Sequence, residues 1–110
     1  MPKSLDPIRP GEILLEEFMK PLGLSQNKLA RDIDVPVVRI HDIVHGRRGI
    51  TPDTALRFAA YFGVSAEFWL NLQSRYDLKI AKRDLWPAIE GRIRPLDDGR
   101  AGGPAAATRS

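Results

Sequence analysis

The run over residues 24–46, LSQNKLARDIDVPVVRIHDIVHG, decides how the rest of this chain is read. It divides into two short helices around a tight turn. Ser25 is placed to cap the first, because its hydroxyl can accept a hydrogen bond from an N–H left without a partner in the first helical turn. Leu29, Ala30 and Ile33 then recur at helical spacing on one apolar face. Asp34 and Val35 break the pattern. Pro36 opens the second helix, at a position where its missing N–H costs nothing. Ile40, Ile43 and Val44 repeat at three and four residues, and Gly46 closes the segment as a C-terminal glycine does.

Two details narrow the reading further. Ala30 is small and sits in mid-helix, so a second helix can cross it closely. The intervening turn is about four residues long, as a helix-turn-helix requires. Between its buried positions the second helix presents Val37, Val38, Arg39, His41, Asp42 and His45. Val37, Val38, Arg39 and Asp42 lie toward its N-terminal half, the end that meets base edges in such motifs. The valines suit thymine methyls, and Arg39 can give two hydrogen bonds to guanine O6 and N7. Asp42 can accept from a cytosine amine or orient Arg39 one turn before it. Gln26, Lys28, His45, Arg47 and Arg48 are the candidates for phosphate contacts, which fix register without reading sequence. For Lys28 the alternative is a solvated helix face.

These residues resemble the helix-turn-helix of phage-repressor-like (Cro/CI, or XRE) regulators. The flanking runs RPGEILLEEFMKPLGLSQNKLA and HGRRGITPDTALRFAAYFGVSAEFWLNLQ look like those of the HigA (VapI-like) antitoxins of bacterial toxin–antitoxin operons, over residues 8–78. The turn position often held by glycine in this family is Asp34 here, and aspartate tolerates the left-handed conformation better than most residues. The resemblance implies a DNA-binding homodimer that represses its own operon at a palindromic operator. It also implies neutralisation of a RelE-like, mRNA-cleaving toxin encoded beside it. The alternative is a stand-alone XRE-family transcriptional repressor with no toxin partner.

Composition fits this reading. A chain of 110 residues with 43% apolar residues suits one domain. It has no cysteine, so disulfides and cysteine-ligated metals are excluded. No apolar run is long enough to span a bilayer, and the N-terminus lacks the apolar core of a signal peptide, so a cytoplasmic protein without a membrane partner is expected. The net charge of +3 is mild, but it is unevenly spread. Residues 25–48 carry +2 and residues 75–94 carry +3, whereas residues 1–24 and 49–74 each carry −1. Positive charge thus gathers at the proposed reading head and near the C-terminus.

The remaining segments complete an all-α, five-helix phage-repressor-like domain with a C-terminal helical extension. Residues 1–9 read as an extended arm and residues 10–78 as the helix-turn-helix domain. Within it, GEILLEEFMK (residues 11–20) forms a first helix with a stripe of Leu14, Leu15, Phe18 and Leu22. Thr51, Pro52 and Asp53 start a fourth helix with Ala55, Leu56, Ala59 and Phe62 inward, ended by Gly63. Ser65 caps a fifth, SAEFWLNLQSRY, in which Phe68 and Leu72 face the core. Trp69 and Tyr76, with Leu72 beside them, offer a dimer interface. Residues 79–94 read as further helix broken at Pro87, and residues 95–110 as a disordered tail rich in Gly, Ala and Pro.

One rival chemistry is legible. His41-Asp42-Ile43-Val44-His45 nearly spells the HExxH zinc-hydrolase motif, since histidines at i and i+4 share a helix face. The chain has only these two histidines and no cysteine to supply a third ligand of those kinds. Aspartate is also one methylene shorter than the usual general base. No phosphate-cradling glycine loop or catalytic triad accompanies it, so no metal, no cofactor and no enzymatic activity are expected.

Overall fold

Hydroxyl caps start three of the helices. In the computed structural model, which describes residues 7–96, α1 (Pro10–Ile13) opens on a proline and runs directly into a π-helix over Leu14–Met19. α2 (Gln26–Ile33) follows Ser25, whose Oγ accepts from the Lys28 N–H at 3.0 Å. α3 (Val37–Val44) follows Pro36. α4 (Pro52–Phe62) is capped by the Thr51 hydroxyl, and α5 (Ala66–Asp84) by that of Ser65. A short α6 (Trp86–Ile89) and a 3-10 turn (Glu90–Arg92) follow. The described residues contain helices and no strand, the all-α architecture expected.

The joint between α2 and α3 forms as the sequence implies. Asp34 adopts the left-handed conformation with φ 61°, and the Val35 N–H reaches back to the Ala30 carbonyl at 3.0 Å. Val35 is thereby turned into the core, beside Leu29, Ala30, Ile33 and Ile40. Pro36 differs slightly from expectation. It is the residue before the helix, with extended ψ 144°, and Val37 is the first helical residue. Gly46 closes α3 with φ 76°, and the Arg47 N–H returns to the Asp42 carbonyl at 2.8 Å.

The first helix departs from the regular pattern. Its Lys20 N–H bonds the Leu15 carbonyl five residues back, at 2.9 Å. This winding shifts the phase of the buried face, so Leu14 and Met19 are sealed in the core while Leu15 and Phe18 pack at its edge. Leu22, expected on the stripe, lies beyond the winding and is exposed. Gly11 is where α1 meets the C-terminal end of α3. A Cβ there would stand 1.8 Å from the Ile43 carbonyl oxygen, so only glycine lets the two backbones touch.

The core closes around Trp69, with Phe18 at 4.8 Å, Phe58 at 4.9 Å, Phe68 at 5.1 Å and Phe62 at 5.9 Å between ring centroids. Trp69 is fully buried, which corrects its assignment to a dimer interface. Leu72 likewise packs against this core, and Tyr76 is half-buried beside Arg47 and Gln73. The physical reason is that α4 and the first helix both lie across the front half of α5, the half that carries Trp69. On α4 the inward residues are Thr54, Ala55 and Phe58, with Ala59 and Phe62 half-buried, whereas Leu56 is exposed.

α5 is longer than expected and passes unbroken through residues 78 and 79, where a domain was expected to end. From that point on Leu78, Leu85, Trp86 and Ile93 are all exposed. No helix among the described residues is long and apolar enough to cross a membrane. Of the N-terminal arm only residues 7–9 are described, and nearly all of the expected tail, residues 97–110, lies outside the described residues.

Candidate nucleic-acid interface

α3 buries Ile40, Ile43 and Val44 and leaves its other edge outward. Val37 is 44% exposed and Val38 55%, so both present apolar side chains to the outside. They stand with Arg39 in the first turn of α3, whereas Asp42 falls in its second half; these are the four residues the sequence assigns to base reading. His41, His45, Arg47 and Arg48 continue the polar surface toward the loop that leaves the helix.

Arg39 is not free to wander. Its Nη1 donates to Asp53 Oδ2 of α4 at 2.6 Å. Asp53 is in turn gripped by Arg57, one helical turn on, whose Nε donates to both carboxylate oxygens at 3.0 and 3.2 Å. The same Arg57 gives its Nη1 to the carbonyls of Ile33 and Asp34 at 2.7 and 3.1 Å. Those carbonyls end α2, where a cation also meets the negative end of the helix dipole. One side chain therefore joins the end of α2, the start of α4 and the reading edge of α3. Arg57 first, and Arg39 second, hold the Asp53 carboxyl below the usual carboxylate range.

A second tie runs between α2 and α4. The Tyr61 hydroxyl donates to Asp32 Oδ2 at 2.7 Å, and Lys28 Nζ reaches the same oxygen at 2.9 Å. The Tyr61 bond, then that from Lys28, lowers the Asp32 carboxyl below its ordinary range. Bonding to the same carboxylate raises both Lys28 and Tyr61 above theirs. Lys28 is thus half of a solvated intrahelical pair as well as a cation near the start of α2.

Asp42 does not orient Arg39. It accepts instead from Arg47 Nε at 3.2 Å, across the end of α3. Arg48 is exposed, and Gln26 is half-buried at the first position of α2. The His41 and His45 rings lie 4.2 Å apart, and His45 Nδ1 stands 2.9 Å from the His41 carbonyl. Facing a carbonyl, Nδ1 must be the donor, so the neutral ring presents only an acceptor at Nε2. A phosphate contact through Nε2 therefore needs the imidazolium. Among the described residues no cluster of three or more His, Asp or Glu is arranged to hold a metal.

The sequence places Asp53 only at the start of a helix and assigns no role to Arg57 or Tyr61, so their cross-helix bonds were missed. Asp53 and Arg57 at i and i+4 on one helix were a visible pair. Nothing in the spacing revealed that both reach back to α2 and α3.

The profile of the helix-turn-helix family matches residues 15–69. Virulence-associated protein I of Dichelobacter nodosus is 56% identical over 77 residues, covering 70% of this chain and 71% of that protein. Antitoxin HigA-1 of Vibrio cholerae is 35% identical over 72 residues, covering 66% of this chain and 68% of its own length. Antitoxin HigA of Pseudomonas aeruginosa, solved with the higBA promoter, superimposes with a TM-score of 0.79 at 46% identity, covering 82% of this chain and 98% of that one.

Proposed function

We infer that this chain, which belongs to the XRE-type helix-turn-helix family in its HigA (VapI-like) antitoxin branch, is a DNA-binding antitoxin that represses its own operon. The observation that carries this reading is the outward edge of α3, where exposed valines and a braced arginine occupy the positions that meet base edges. Arg39 reads a guanine, and Val37 and Val38 lie against thymine methyls. Asp42 stands beside them within reach of a cytosine amine. Arg47 and Arg48, with Gln26, Lys28 and His45, hold phosphates on either side. The protein works by binding, with no catalytic step, in the cytoplasm where operator and toxin meet.

It acts as a homodimer, since two reading helices about 34–36 Å apart match one turn of a palindromic duplex. The apolar surface of the rear half of α5 and α6, with Leu78, Leu85 and Trp86, is the face best suited to pairing, because large exposed apolar patches mark contacts. Its second partner is a RelE-like, mRNA-cleaving toxin, which it neutralises by complex formation.

The test is titration of the purified chain against duplexes from its own promoter region and against unrelated duplexes at fixed salt. A specific site should bind about a thousandfold or more tighter than unrelated DNA. Equal affinity for both would remove the repressor role. Co-expression with the product of the adjacent reading frame tests the toxin arm: a stable complex and restored growth support it, and two separately purifying proteins leave only a repressor.

A further inference from the structure

We propose that Asp53, held in place by Arg57, is a positioning residue that sets which base Arg39 can read. This inference rests on the reading of α3 as the helix that meets the duplex. An arginine on an exposed helix edge has many rotamers, and a base is discriminated only if the guanidinium arrives in one of them. Here the side chain is fixed at both ends of its reach. Its Nε is buried and has no hydrogen-bond partner, so that edge of the guanidinium is turned away from solvent. Its Nη1 is bonded to Asp53. What remains for a base is the terminal edge formed by Nη2 and the second hydrogen on Nη1. The geometry therefore points to end-on reading of guanine through the two terminal nitrogens.

Asp53 is suited to this because it is itself immobilised. It stands in the first turn of α4, where the helix dipole favours a carboxylate, and both its oxygens are occupied by Arg57. Arg57 is anchored in turn on the carbonyls of Ile33 and Asp34, in the turn that sets the angle between α2 and α3. The direction of Arg39 is thus referred to the same turn that aims the whole reading helix. A carboxylate this close to a phosphate backbone weakens binding to any DNA by repulsion, so its useful contribution is to selectivity.

The test compares wild type, Arg39→Ala, Asp53→Asn and the double variant on an operator duplex and on duplexes changed at single base pairs. Arg39→Ala identifies the pair that Arg39 reads. Asp53→Asn should lower discrimination at that same pair by about tenfold, while affinity for unrelated DNA stays level or rises. Adding Asp53→Asn to Arg39→Ala should lower discrimination no further. If Asp53→Asn shifts matched and mismatched duplexes by the same factor, its effect is charge repulsion alone and the inference is overturned. A wild type that binds every duplex alike overturns the operator-reading function itself. Nitrogen-15 spectra of the Arg39 guanidinium in the intact wild-type protein give a reading that needs no variant to fold. Distinct Nη resonances, retained when the operator binds, are expected of a guanidinium held by Asp53, and averaged ones would overturn the proposal.

Discussion

The chain's two tryptophans sit at opposite ends of one long helical run and meet opposite fates. Trp69, near the start of α5, is 0% exposed and enclosed by four phenylalanines, whereas Trp86, which opens α6, is 41% exposed beside Leu85. Neither differs in chemistry from the other. What differs is coverage: Phe58 and Phe62 of α4 and Phe18 of the first helix close on Trp69, whereas Trp86 stands on the short α6 that packs against α5. An aromatic residue's role is therefore set by its place along the helix: the front half closes on itself, while the rear half leaves Leu78, Leu85 and Trp86 exposed.

The sharpest way to break that contrast is to truncate each tryptophan. Trp69→Ala should cost about 3–5 kcal/mol of folding stability, read by chemical denaturation. Trp86→Ala should change monomer stability by less than about 0.5 kcal/mol, yet shift sedimentation toward the monomer. Equal losses of stability in both variants would show that the rear face belongs to the core.

Gly11→Ala probes the front half from its other side. Its new methyl meets the Ile43 carbonyl, so α1 or the end of α3 must move, at a cost of about 1–3 kcal/mol. Melting temperature and operator affinity should fall together. On the reading edge itself, Arg39→Ala should weaken operator binding by about 1–3 kcal/mol and relax one base position. Arg48→Ala should weaken all duplexes alike and reduce the salt slope by about one.

The smallest effect is that of acid. Asp32 and Asp53 tie α2, α3 and α4 together and titrate below the ordinary carboxylate value of 3.8. Their contribution to stability is complete above that value and disappears as the pH falls through the lowered one. Asp32→Asn, which lacks one such contribution, should lose less melting temperature than wild type over the same acid titration. In the rear half the Asp84 carboxyl is lowered by its sequence neighbour Arg83.

Much of the front half was legible because its signals are local. Ser25, Thr51, Ser65, Asp34 and Gly46 each act within a turn of their own position, and each does what its chemistry implies. Val37, Val38, Arg39 and Asp42 were legible as an edge from spacing alone. The rest depended on partners distant in sequence. Trp69 shares its stripe with residues on both sides of α5, and only the neighbouring helices decide which side is inside. Leu56 reads as apolar and inward, but Phe58 takes the inward place. One of the two readings of Asp42 has it orient Arg39 on the same helix, but Arg39 instead bonds Asp53, fourteen residues away. Short-range spacing cannot choose between such candidates, because the choice is made by where the start of α4 comes to lie against Arg39.

The winding of the first helix at Leu14–Met19 carries a consequence for chain length. A π-turn holds one residue more than the α-turn it replaces, so this segment behaves like a stored single-residue insertion. Excising Glu16 or Glu17, both exposed, would leave enough chain to rewind as ordinary α-helix. Met19 would then follow Leu14 by four residues instead of five and keep its place on the buried face, so the loop to Ser25 would be spared. Length along this backbone is thus held in a coil that can be spent only once.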